Sequence, residues 1–175
     1  MGAYEQIPGQ VTLTHIAEDL GSQQNLMFAP AHMRKYMLSG MKRMIDLAYQ
    51  AGAFVFHHDD GNCRRMLPEL IEVGINILNP IQWCYKGMDR EELKRDLGNR
   101  LIFHGAVDNQ QTLPFGTAAD VRKGVLDNIR ILGKGSGYIL AIMSSQILHL
   151  RMLLPFLKAD LKMAGRRVPG PMAAI

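Results

Sequence analysis

Two rhythms of apolar and polar residues alternate along the chain. Short runs rich in β-branched and aromatic residues, the mark of strands, are each followed by a stretch whose apolar positions fall three and four apart, the spacing of one helix face. The first run is VTLTHIAEDLG (11–21). The first helical stretch, PAHMRKYMLSGMKRMIDLAYQAG (30–52), puts Met33, Met37, Met41, Met44, Ile45 and Ala48 on one face, and Gly52 stops it. Methionines at this spacing are expected as adaptable packing in the helix layer rather than as a cofactor cradle. The unit then recurs as strand AFVFHHDDG (53–61), helix CRRMLPELIEVG (63–74), strand INILNPIQW (75–83) and helix DREELKRDLG (89–98). Strand RLIFHGAVDN (100–109), helix TAADVRKGVLDNIRILG (117–133) and strand GYILAIM (137–143) complete five βα-type units.

Such alternation predicts an α/β fold with parallel strands, buried on both faces and therefore read as continuous apolar runs. Neither G-x-G-x-x-G nor G-x-x-x-x-G-K-[ST] occurs, so the phosphate-binding turn of a doubly wound sheet is missing. Strand after strand instead ends in polar groups: Glu18 and Asp19, then His57 to Asp60, then Gln82, then His104 and Asp108. Function at the carboxyl ends of many strands is the pattern of a (β/α)8 barrel.

Charge changes the picture little. The net charge is +4, but five basic residues against one acid in the tail 149–175 account for all of it, and the body before it is neutral. A balanced body argues against nucleic acid as a partner. Cys63 and Cys84 have no C-x-x-C spacing, no secretory signal is visible, and no apolar run reaches the roughly 18 to 20 residues that span a bilayer. A cytoplasmic protein with no membrane contact is the expectation.

The ordered series EDLGSQ, HHDDGN, LPELIEVGINILNPIQW, GMDREELKRDLGNRLIFHGAVDNQQTLPFGT and GYILA resembles the carboxyl-terminal half of the uroporphyrinogen decarboxylase superfamily. That superfamily includes the decarboxylases of haem and porphyrin biosynthesis and the corrinoid-dependent methyltransferases. The resemblance covers about 11–141. It implies the carboxyl-terminal portion of a (β/α)8 TIM barrel, about five βα units over 1–148, acting on a small-molecule substrate, a tetrapyrrole or a methylated compound. The leading expectation is a lyase carrying out cofactor-free decarboxylation of a tetrapyrrole. Methyl transfer with zinc and a corrinoid partner is the alternative, and an inactive truncated fragment is the non-enzymatic one.

In the family the strand holding His58 and Asp60 opens onto the cleft, with Gly61 and Asn62 turning into the next helix. His58-x-Asp60 stands where the zinc methyltransferases carry His-x-Cys, so zinc, if bound, would be held by His58 and Asp60, without the soft thiolate. Asp108 matches the family's Gly-x-x-Asp strand end. His58, Asp60 and Asp108 are thus the expected catalytic groups, with Glu18, Asp19, Gln82 and His104 binding substrate.

Each has a plainer reading. Asp60 could cap the helix that follows it. Only one of the adjacent Glu18 and Asp19 can face the cleft, and His57, opposite His58 in a strand, is expected to be structural, as is Trp83. His104 stays in phase with Asp108 only if the strand runs regularly past Gly105. A cluster of acids around His58 should raise at least one carboxylate pKa.

With five strands rather than eight, the chain is expected to be incomplete alone and to self-associate or pair with a complementary half-barrel. The tail 149–175 departs from the family pattern, as a reading-frame slip would make it do, and leaves Ser144 or Ser145 nearest the place of a family histidine.

Overall fold

The computed structural model describes residues 9–142. The 148/149 boundary, the tail, Ser144 and Ser145 lie outside the described residues. Five parallel strands form one sheet in chain order: β1 (Leu13–Ala17), β2 (Phe54–His58), β3 (Ile77–Asn79), β4 (Ile102–His104) and β5 (Tyr138–Ile139). Sequential order without reversal is the winding of a barrel wall, not of a doubly wound sheet. Here β1 and β5 are both edges of an open sheet.

Register divides the sheet into two unlike faces. The row Ile16, His57, Leu78, Phe103 and Tyr138 runs across all five strands on one face, and its first four members are buried beneath the helices. The opposite face carries Leu13, His15, Phe54, Phe56, His58, Asn79, His104 and Ile139, of which Leu13, His15, Phe54 and Ile139 are exposed. Burial on both faces, as expected, holds at β3, where Ile77, Leu78 and Asn79 are all buried; along β2 burial alternates residue by residue, the face under the helix layer being the buried one.

That layer begins with α1 (Pro30–Met33), a π-helical turn (Arg34–Leu38) and α2 (Ser39–Gln50). The π turn inserts a residue and rotates the apolar stripe. Met33, Leu38, Met41, Ile45 and Ala48 are buried, Met37 packs at the margin, and Met44 stands out in solvent, contrary to its expected place. A 3-10 turn (Arg64–Met66) leads into α3 (Leu67–Val73), which Gly74 ends in the left-handed conformation at φ 113°. The Arg34 guanidinium grips Glu69 through two bonds of 2.8 and 2.6 Å, tying the π turn to α3.

The two longer helices that remain start on side-chain caps. Asp89 accepts from the Glu91 and Glu92 amides at 2.9 and 3.0 Å to open α4 (Arg90–Leu97). After a short α5 (Thr112–Phe115), a reciprocal Thr117–Asp120 capping box opens α6 (Ala118–Leu132). No helix among the described residues is long and apolar enough to cross a membrane.

Candidate functional site at the strand ends

Two rows of side chains meet where β1 to β4 end. Pairing sets Ala17 beside His58 and His58 beside Asn79, all on the open face. The His58 ring presents Nδ1 to Asn79 Oδ1 at 2.9 Å, and Asn79 Nδ2 meets His104 Nδ1 at 2.7 Å, so one buried amide bridges two imidazoles. Phe56 stands below, its ring edge-on to His104 at 4.9 Å and to His15 at 5.2 Å. Burial pushes the His104 pKa below the ordinary histidine value.

On its other side His58 Nε2 faces two carboxylates, with Asp19 Oδ1 and Asp60 Oδ2 each 4.0 Å away. Asp19 Oδ1 also accepts the Asp60 amide at 3.0 Å, which locks the loop after β1 to the loop after β2. Gln82 closes the arrangement: its Nε2 donates to Asp60 Oδ1 at 3.0 Å while its Oε1 accepts the Gly61 amide at 2.8 Å. The Asp60 carboxyl is held above its usual range. Burial does most of this, His58 opposes it, and the Asp19 and Asp59 charges add to it.

Asp59 and His57 point the other way, into the helix-covered face, and both are fully buried. Asp59 Oδ1 accepts from the Leu20 and Gly21 amides at 3.1 and 3.0 Å, and His57 Nδ1 bonds the Ile16 carbonyl at 3.0 Å. His57 Nε2 and Asp59 Oδ2 face each other at 3.7 Å. Burial, with the Asp59 carboxylate beside it, drives the Cys63 thiol pKa well up. Cys63 begins the 3-10 turn rather than lying within a helix.

The structure thus brings together His58, Asp60, Asp19, Gln82 and His104 at one mouth. Glu18 takes part only through its backbone, donating its amide to the His58 carbonyl at 3.2 Å, and its side chain is exposed. Asp60 does not cap the following turn; Asp108 plays that part instead. Asp108 Oδ1 accepts from the Gln110 and Gln111 amides at 2.9 and 3.1 Å, and its Oδ2 from the Thr112 amide and hydroxyl, each at 3.0 Å. Burial alone would raise its pKa, but these four bonds outweigh it and hold the carboxyl below its ordinary value.

Asp108 leaves the phase of His104 because Gly105 and Ala106, at φ 90° and 65°, break the strand between them. It lines a neighbouring cleft with Gln82, Trp83, Cys84, Tyr85 and Gln110. Cys84, exposed beside Asp108, has its thiol pKa pushed up to about 11, first by desolvation and then by that charge. Trp83 is anchored by its indole N–H on the Ala106 carbonyl at 2.9 Å, with the Arg90 guanidinium stacked 3.9 Å from the ring centre. The same carbonyl accepts the buried Asn128 amide at 2.7 Å. The left-handed Ala106 therefore aims one carbonyl at two donors.

The residue that sequence reasoning passed over is Asn79. Its signal was its place two residues beyond Ile77 on the strand end before Pro80, the phase that His58 occupies on β2.

No family model and no curated protein matches the chain. Among solved structures it is similar to a methyltransferase from Methanosarcina mazei, with a TM-score of 0.58 at 16% identity. The likeness covers 86% of this chain and 43% of that one, so the chain spans less than half its length. At this identity the likeness is one of fold: an α/β parallel sheet of barrel-wall type.

Proposed function

We propose that the chain forms one wall of a methyltransferase site, in which His58 takes the proton from the atom that accepts the methyl group. The single observation that carries this reading is His58 itself, fixed through Nδ1 by Asn79 and turned with Nε2 toward Asp19 and Asp60. The fold likeness to a methyltransferase supports methyl transfer over decarboxylation, the leading expectation from sequence, which gains no comparable support.

Methyl transfer needs an acceptor heteroatom with a free lone pair. That lone pair forms the new bond to the methyl carbon as the carbon–donor bond breaks and the donor departs with its electron pair; the acceptor's X–H bond breaks as an N–H bond forms on His58 Nε2, and the imidazolium so made lies between two carboxylates that stabilise it. Gln82 keeps Asp60 in place for this. Zinc fits the described residues poorly. No three His, Cys, Asp or Glu side chains among them make a metal-binding group, and a thiolate is missing where the zinc methyltransferases have one. The corrinoid partner of that branch belongs to the proposal as a separate molecule.

The test uses the full chain with 13C-methyl donors, methylcobalamin and methanol, and a thiol acceptor followed by 13C NMR. A 13C-methyl thioether is expected, with the rate lowered about 10²- to 10⁴-fold by His58→Gln. Absence of both product and donor binding would overturn the reading. Carbon dioxide released from a pyrrole acetate would move it to decarboxylation.

A further inference from the structure

We infer that Asn79 is a positioning residue that holds His58 and His104 in opposite tautomers, so that the wall offers one imidazole nitrogen as proton acceptor and another as donor. The inference rests on reading the strand ends as a reactive site and adds a division of labour between its two histidines. Asn79 is fully buried, so both ends of its amide need partners, and both partners are Nδ1 atoms, at 2.9 and 2.7 Å.

A carboxamide has an acceptor end and a donor end, and a neutral imidazole has one protonated nitrogen. The ring at the oxygen must donate from Nδ1, and the ring at the nitrogen must accept there. Opposite tautomers follow whichever way the amide lies.

The surroundings fix the direction. His58 Nε2 faces Asp19 and Asp60, so His58 must be able to hold protons on both nitrogens when it takes one from a substrate. With Asn79 Oδ1 on its Nδ1–H, that second proton arrives without breaking any bond. Were the amide reversed, Nδ1 would have to stay bare. His104, packed against Phe56, keeps Nδ1 as an acceptor and carries its proton on Nε2. In a reaction cycle His58 would then receive a proton at Nε2 and His104 would donate a hydrogen bond or a proton from its own Nε2. The ligand class this suits is a small molecule with a donor group beside an acceptor group.

Tautomers are read directly by long-range 1H–15N correlation on the 15N-labelled full chain without substrate, at about pH 8, where imidazoles of ordinary pKa are neutral. His58→Gln and His104→Gln assign the signals. Protonated Nδ1 in His58 and protonated Nε2 in His104 are expected, and a shared tautomer would overturn the inference. Asn79→Asp, which offers two acceptors, should switch His104 to the Nδ1–H form and leave His58 as it was. A folded Asn79→Asp chain with His104 unchanged removes the positioning role, and if that variant does not fold the wild-type spectrum still decides. Because no methyl donor is present, failure of methyl transfer leaves this result standing, and equal tautomers leave the methyl-transfer assay untouched.

Discussion

Asp60 and Asp108 are carboxylates beyond the ends of β2 and β4, two strands separated by β3, and their surroundings act on them in opposite senses. Asp60 is desolvated and crowded by Asp19 and Asp59, so the folded chain binds its proton more tightly than the unfolded chain does. Stability should therefore fall as pH rises from the ordinary carboxyl range, about 4, through the raised value. Asp60→Asn keeps an acceptor for Gln82 and should stabilise the chain at neutral pH, with the gain vanishing in acid, as urea titrations across pH would record. Asp108 behaves inversely. Its pKa is lowered, so its contribution is complete above the ordinary value and is lost as pH falls through the lowered one. Asp108→Asn puts an amide where Thr112 donates twice and should cost about 1 to 2 kcal/mol at neutral pH, less in acid. Strand phase made the shared side of His58 and Asp60 legible, because β2 stays regular through His58. It could not reveal that Asp108 would cap a turn, since that depends on how the chain leaves β4 after Gly105.

Elements were easier to read than their ends. The order of strands and helices follows from the alternation, and Gly74 and the caps at Asp89 and Thr117 mark boundaries with a local chemical cause. Strand lengths were overestimated: β3 and β4 each have three residues, because the polar turns beyond them bond to side chains and loops rather than to a neighbouring strand. Where the turns after β1 and β2 meet, the backbones nearly touch. Gly61, at φ 88°, would place a Cβ 2.4 Å from the Ser22 carbonyl oxygen, and the Asn62 amide bonds that same carbonyl at 2.8 Å. Gly61→Ala should cost about 1 to 3 kcal/mol in urea denaturation, from backbone strain and forced separation of the two loops. Deeper in the same junction Asp59 carries the Leu20 and Gly21 amides, and Asp59→Ala should destabilise by roughly 3 kcal/mol because two buried donors lose their acceptor.

At the scale of the molecule, the apolar runs that suggested strands buried on both sides belong to a sheet buried on both faces at β3 but exposed on the open face of β1, β2 and β5. The covered face is a continuous core from Ile16 across to Phe103. On the open face, Leu13, Phe54 and Ile139 remain 44, 53 and 41% exposed, and among the described residues β1 and β5 are the edge strands of the sheet. Sequence alone cannot separate these cases, since an apolar residue facing a missing layer reads like one facing a present layer. Exposed apolar area and open edges both favour association with another copy. The mass of the full chain measured by light scattering should therefore rise with concentration in the micromolar range. Phe54→Lys, which places a charge on that face at the start of β2 without entering the helix-covered core, should shift the rise to higher concentration while leaving the circular dichroism spectrum unchanged. A constant monomer mass for the wild-type chain would show that the open face needs no cover, and the expectation of self-association drawn from five strands would then fall.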